Sequence, residues 1–307
     1  MGIEIRTATS KEMMKNIRTV KTMTKGMGFD ENMGKVNWSM VRRISDFGYQ
    51  FMPKEKDVKF RKIKNNEISA LISEYGTPDT SNIILYIHGG GFVSGSAKSS
   101  KGYSSMLAKY SGNPVFAIDY SLAPENSFPS GFNDCVAAFE EIASMYPSAK
   151  ITLAGESAGA NLCLALALKE KDSNRIACVI VHSPIVDFTG NLNRRIHTVD
   201  DFTVKAGCLI PLKSIYAKNN NIENPYISTI LGDYKGFPPT FITCDSNETL
   251  YADSIALYNK CEENGVDVEL IEMNGTFHAF ATIGTGTPET KQILEDNIAF
   301  MKKYTTI

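Results

Sequence analysis

Residues 151–164 read ITLAGESAGANLCL. The run Ile151–Ala154 is short and apolar, as a buried strand requires. The chain then breaks at Gly155-Glu156-Ser157-Ala158-Gly159 and resumes as a helix-forming run over Asn161–Lys169. A strand that enters a helix through G-x-S-x-G holds its central residue in a strained turn, and a glycine two positions to either side removes Cβ atoms that would collide. The turn lifts the Ser157 hydroxyl out at the carboxyl end of the strand. There it sits over the amino end of the next helix, where free N–H groups favour developing negative charge.

Outward from this stretch, strand-like and helix-like segments alternate. Asn82–His88 (NIILYIH) is nearly continuous apolar, the pattern of a strand covered on both faces. Helix Gly102–Tyr110 precedes strand Val115–Asp119, and helix Phe132–Met145 precedes the strand at Ile151. Strand Ala177–Ser183 follows the helix that leaves this G-x-S-x-G elbow, then strand Thr240–Cys244, helix Tyr251–Asn264, strand Val268–Glu272 and a last helix over about Thr290–Lys303. Two further strands, Val58–Ile63 and Ile68–Ser73, flank the turn-like Lys64-Asn65-Asn66 and form an opening antiparallel hairpin. The expected fold class is α/β: an eight-stranded, mostly parallel sheet with helices on both faces.

Two regions fall outside the alternation. Residues 10–28, capped by Ser10, and Lys35–Phe47 read as amphipathic helices with a methionine-rich face, suited to packing on a core or to lying over a pocket. Between Val186 and Pro238 lies a stretch too long for a connecting loop, which therefore reads as a structured insertion.

The 307 residues are 43% hydrophobic and 21% charged, ordinary for a globular chain, with a net charge of −2. Residues 1–64 hold 15 Lys/Arg against 7 Asp/Glu and the remainder 17 against 27, so a basic N-terminal segment faces an acidic body. The basic residues are interspersed with acidic and apolar ones and form no dense run, which fits a solvated helix face and not a nucleic-acid or membrane surface. The six cysteines lack C-x-x-C spacing, so neither a disulfide framework nor a metal site is expected. No run of 18 apolar residues is present and the N-terminus has no signal-like core. The expectation is a cytoplasmic protein without stable membrane insertion.

Serine acyl transfer needs a base, an acid to orient it and donors for the oxyanion. Four histidines allow elimination. His88 opens His88-Gly89-Gly90-Gly91-Phe92 directly after a strand, and bare glycine amides suit an oxyanion hole. His182 lies within an apolar strand and reads as a hydrogen-bonded core residue. His197 stands beside Arg194 and Arg195 in the insertion and reads as solvated. His278, in Gly275-Thr276-Phe277-His278-Ala279-Phe280 just after the last strand, remains as the base. The acid belongs after strand Thr240–Cys244, where Asp245, Glu248 and Asp253 are all candidates. Asp253 suits an ordinary first-turn helix role, and spacing does not decide between Asp245 and Glu248.

These motifs, HGGGF (88–92), DYSLAPE (119–125), GESAGANL (155–162), FPP (237–239), NETLYADS (247–254) and FHAF (277–280), resemble the hormone-sensitive-lipase-like branch of the α/β-hydrolases, the HGGG-motif carboxylesterases. The likeness spans about Asn82 to Phe280. Ser121 and Ala160 depart from the arginine and glycine usual there, and neither position carries a reacting group. The resemblance implies an α/β-hydrolase fold with a helical cap built from residues 1–50 and an insertion at about 187–230 in a catalytic domain of residues 51–307. It implies a triad of Ser157, Glu248 and His278, and an oxyanion hole of the Gly90, Gly91 and Ala158 amides. Asp119, Tyr120 and Glu125 would brace the oxyanion loop.

The implied activity is hydrolysis of short- to medium-chain acyl esters through an acyl-enzyme, with a small-molecule ester as partner and no metal or cofactor. Amide or formamide hydrolysis, or deacetylation, would use the same triad. A non-catalytic ligand receptor on the same scaffold is the reading from another class, disfavoured because both Ser157 and His278 are present. Relatives often pair through the last strand, so Val268–Glu272 is a candidate edge for a homodimer.

Overall fold

Short apolar runs cannot satisfy their backbone groups alone, and here they pair into one nine-stranded sheet. A computed structural model describes residues 2–25, 29–49, 54–65, 68–192, 201–284 and 286–305. In chain order the elements begin with strand β1 (Ile3–Thr7), helices α1 (Lys11–Thr24) and α2 (Trp38–Tyr49), and strands β2 (Val58–Lys64), β3 (Ser69–Tyr75) and β4 (Asn82–Ile87). Then follow α3 (Lys101–Ser111), β5 (Val115–Ile118), α4 (Ser130–Met145), β6 (Lys150–Glu156), α5 (Ala158–Glu170) and β7 (Ile176–His182). The chain continues through α6 (Leu209–Tyr216), β8 (Thr240–Asp245), α7 (Tyr251–Glu263), β9 (Val268–Asn274) and α8 (Pro288–Thr305).

The strands lie in the order β1-β9-β8-β7-β6-β4-β5-β3-β2. Only the β2–β3 and β3–β5 pairs are antiparallel. Every β4 residue is buried, and its side chains alternate between two cores. Ile83, Leu85 and Ile87 belong to the core that also holds residues of α4, α5 and α7; Ile84 and Tyr86 belong to the core that also holds residues of α3 and α8. Each such aliphatic side chain contributes about 1.5–3 kcal/mol when removed from water.

The sheet has one strand more than the eight expected. Residues 3–7 sit in the segment assigned above to a helical cap, but they form β1, parallel to β9 with Ile3 opposite Leu270 and Thr7 opposite Asn274. The sequence Ile3-Glu4-Ile5-Arg6 alternates with the period of a strand, yet Ile5 is 63% exposed, so no buried face announces it. The backbone ladder holds β1, together with the 2.5 Å pair between Arg6 and Asp296 of α8. Val268–Glu272 is consequently not an edge: β1 covers it, and a second copy meeting this side of the sheet would meet β1.

The register aligns the carboxyl ends of the central strands. Ile87 of β4 is opposite Gly155, Glu156 of β6 opposite His182, and His182 of β7 opposite Thr243. The loops leaving these strands therefore emerge side by side above one edge of the sheet. Within the insertion, the described residues form α6 and short 3-10 turns at Ala206–Cys208 and Thr229–Leu231. His197, Arg194 and Arg195 lie outside the described residues.

Candidate active site

Ser157 occupies the turn between β6 and α5 at φ +55° and ψ −117°, a conformation side-chain-bearing residues rarely adopt. Its N–H donates to the carbonyl of His182 at 2.9 Å. The flanking glycines are sterically required. A Cβ at Gly155 would lie 2.6 Å from the carbonyl oxygen of Ile87, and one at Gly159 would lie 2.0 Å from that same atom. The small residues let β6, α5 and the end of β4 approach closely enough to bring Ser157 beside the His88-Gly89-Gly90-Gly91 loop.

His278 is buried, and its Nδ1 lies 2.8 Å from Oε2 of Glu248. An ionised carboxylate only accepts, so Nδ1 carries the proton and Nε2 is left as the acceptor. That Nε2 is buried without a hydrogen-bond partner among the described residues. The three carboxylates after β8 separate into distinct roles. Asp245 accepts from Thr276 N–H at 2.7 Å, from Thr276 Oγ1 at 2.6 Å and from Asn247 N–H at 2.8 Å, tying down the loop that carries His278. Asp253 accepts the N–H groups of Val186 and Asp187 at 2.9 and 3.3 Å, holding the start of the insertion. Of the three, Glu248 alone is bonded to His278.

Burial by itself disfavours a charged His278, but the bond to Glu248 and the negative charges of Glu248, Asp201 and Glu156 outweigh it and raise its pKa above the usual 6.5. Burial pushes the Glu248 carboxyl up, opposed by its bond to His278. Burial also pushes Glu156 up to about 7, opposed by bonds from Tyr86 and from the Gly89 amide. His182, expected in the core, is fully buried between Tyr103 and Thr243, and burial pushes it down to about 3.

The amides of Gly90, Gly91 and Ala158 donate no hydrogen bond to a described residue. Several side chains are bonded in and around the 88–92 loop. Tyr120 donates to the carbonyl of His88 at 2.9 Å and stacks on its ring at 4.3 Å. Asp119 accepts from the Ala97 amide at 2.7 Å. Glu125 receives Arg42 of α2, whose guanidinium also donates to the carbonyls of Val93 and Ala123, each at 2.6 Å.

Ser157, Ala158, Gly90, Gly91 and His278 line one cavity of about 270 Å³. Its outer wall is formed by Val20 and Thr24 of α1, Phe29, and Leu209 and Leu212 of α6. The N-terminal helix and the insertion thus meet over the same space. Phe92 of the glycine loop stacks on Tyr216 of α6 at 3.6 Å, joining the two layers. Among the described residues no group of three or more His, Cys, Asp or Glu side chains is arranged to hold a metal, and all six cysteines are buried.

Several contributors escape the sequence reading. Ser183, at φ +49°, accepts the Ala279 amide at 2.9 Å, next to His278 in the chain. Asp201 accepts the Thr249 amide at 2.9 Å, linking the insertion to the acid loop. Neither has a motif of its own. The available signal for Ser183 is its position at the end of a central strand, beside the elbow.

A family profile described as alpha/beta hydrolase fold matches residues 84–282. The chain is 30% identical over 226 residues to an acetyl-hydrolase of Streptomyces hygroscopicus, covering 72% of this chain and 76% of that protein. It is 28% identical over 275 residues to an esterase of Acinetobacter venetianus, covering 85% and 87%. The crystal structure of a hormone-sensitive lipase from a metagenome library superposes with a TM-score of 0.82 at 28% identity, covering 94% of this chain and 98% of that one. With these matches spread across the sheet, the elbow and the covering helices, the chain belongs to the alpha/beta hydrolase fold family, in its hormone-sensitive-lipase-like branch of carboxylesterases.

Proposed function

We propose that this protein is a serine carboxylesterase acting on short- to medium-chain acyl esters through an acyl-enzyme. The observation that carries the reading is the state of His278: one ring nitrogen is held by Glu248, and the other is buried, unpartnered among the described residues, on a cavity that Ser157 shares.

In the proposed reaction His278 Nε2 takes the hydroxyl proton as Ser157 Oγ attacks the ester carbonyl, while Glu248 holds the tautomer and stabilises the imidazolium. The oxyanion is met by the amides of Gly90, Gly91 and Ala158; one such donor is worth about 10²–10³ in turnover. The intermediate collapses, the carbon–oxygen bond to the alcohol breaks, and His278 returns its proton to that alcohol. Water then repeats the sequence on the acyl-enzyme.

The cavity volume of about 270 Å³ and its aliphatic outer wall favour a short or medium acyl chain. Similarity to a protein named acetyl-hydrolase favours acetyl as one acyl group, and deacetylation of an ester or amide would use the same residues. The proposed protein is cytoplasmic, with a small ester as its partner and neither nucleic acid nor a stable bilayer anchor. Among the described residues no helix is long and apolar enough to cross a membrane.

The test is the hydrolysis rate of nitrophenyl esters from acetyl to palmitoyl, for wild type and Ser157→Ala. The expected profile peaks at or below about eight carbons and loses at least about 10³ in the variant. Equal rates in the two proteins, or a maximum at palmitoyl, would reject the mechanism or the chain-length assignment respectively.

A further inference from the structure

Glu156, the residue immediately before the proposed nucleophile, has a side chain that the mechanism above leaves unused. Its Oε1 accepts the N–H of Gly89 at 2.8 Å, and its Oε2 accepts the hydroxyl of Tyr86. The carboxylate rests directly on the glycine loop: a Cβ at Gly89 would lie 3.1 Å from Glu156 Cγ and 3.2 Å from Oε1. Tyr86 is itself fixed, buried in β4 with its ring 5.4 Å from that of Tyr103. Tyr103 is bonded to His182 at 2.8 Å, so the carboxylate is supported from the interior of the sheet.

Gly90 and Gly91 stand at φ +106° and +61°, which commits the loop to a turn that glycine alone tolerates readily. Glycine backbone is also the least self-restrained, so something outside the loop must hold its entry point. From the far side His88 is stacked on Tyr120; on the side of Ser157 the hydrogen bond to Gly89 comes from Glu156.

We propose that Glu156 is the positioning residue of the oxyanion loop: its carboxylate, steadied by Tyr86, anchors Gly89 so that the next two amides face the carbonyl oxygen of the substrate. The inference rests on the esterase reading above. Because the donors must meet the oxyanion and not the ground-state carbonyl, loss of the anchor acts on the transition state. A displacement of about 1 Å in such groups costs on the order of 10²-fold in rate.

The test compares wild type, Glu156→Gln, Glu156→Leu and Tyr86→Phe on nitrophenyl butyrate. It also measures the affinity of each for an aryl trifluoromethyl ketone, which adds the serine hydroxyl to form a tetrahedral oxyanion adduct. Leucine fills the space but accepts nothing, and is expected to lower kcat by about 10–100-fold with KM within about threefold and a matching loss of ketone affinity. Glutamine retains an oxygen for Gly89 and an amide for Tyr86, and is expected to restore most of both. Tyr86→Phe is expected to lose several-fold in both, and it decides the matter if the leucine variant does not fold. Equal activity of the leucine and glutamine variants, or a fall in kcat without loss of ketone affinity, would overturn the assignment. An inactive wild type would instead overturn the esterase reading, so the two failures are distinguishable.

Discussion

Replacing Glu248 by Gln is the most discriminating change to the site. The carboxylate is fully buried and receives Nδ1 of His278 at 2.8 Å, so it sets which ring nitrogen carries the proton. An amide NH₂ in its place favours the proton on Nε2, the nitrogen needed as base. In a serine triad the equivalent change costs about 10⁴ in kcat. For this site a loss of about 10³–10⁴ is expected, equivalent to about 4–5.5 kcal/mol at 1.36 kcal/mol per decade. The comparison is with Asp245→Asn and Asp253→Asn. Asparagine at 245 keeps one acceptor oxygen for Thr276, so its effect falls on loop anchoring, about 1–3 kcal/mol of stability and less than about tenfold in rate. The assay is kcat on nitrophenyl butyrate with urea unfolding run in parallel. If Asp245→Asn loses more turnover than Glu248→Gln, or Glu248→Gln keeps a tenth of the wild-type rate, the acid has been misassigned.

Other outcomes follow from the same contacts. His278 must be neutral to take the serine proton and its pKa is raised, so activity falls as pH drops through a midpoint above 6.5; a kcat/KM limb centred below 6 would contradict this. Arg42→Ala removes two part-buried contacts to backbone carbonyls, and urea unfolding should show a loss of about 1–3 kcal/mol. Glu125→Gln touches only the half-exposed partner and should cost less than about 1 kcal/mol, so equal losses would show that the ion pair dominates. Removing residues 2–7 uncovers β9 and is expected to lower stability and promote self-association, seen by analytical ultracentrifugation; a monomer of unchanged stability would show β1 to be dispensable.

Much of the sheet and of the candidate site is legible because the physics is local. An apolar run such as Asn82–Ile87, buried on both faces, differs from its surroundings in composition, and Gly155 and Gly159 are glycines because no Cβ fits there. The same locality accounts for His278, which elimination isolates from the other histidines. What the chain hides depends on contacts between distant residues or on none at all. β1 is held by its backbone ladder and by Asp296, and buries too little to leave a hydrophobic signature. The choice among Asp245, Glu248 and Asp253 depends on which side chain the loop turns toward His278; spacing is silent on this, and the family pattern supplies Glu248. Asp201 lies far from Thr249 in the sequence and meets it only through the folding of the insertion.

Activation of Ser157 by His278 underlies every step proposed for this site. Its most direct test is mass spectrometry of the protein after treatment with a fluorophosphonate. A single phosphonyl adduct on Ser157 is expected, lost in Ser157→Ala and slowed at least about 10³-fold in His278→Ala. Full labelling of Ser157→Ala, or an adduct mapped to another residue, would contradict it.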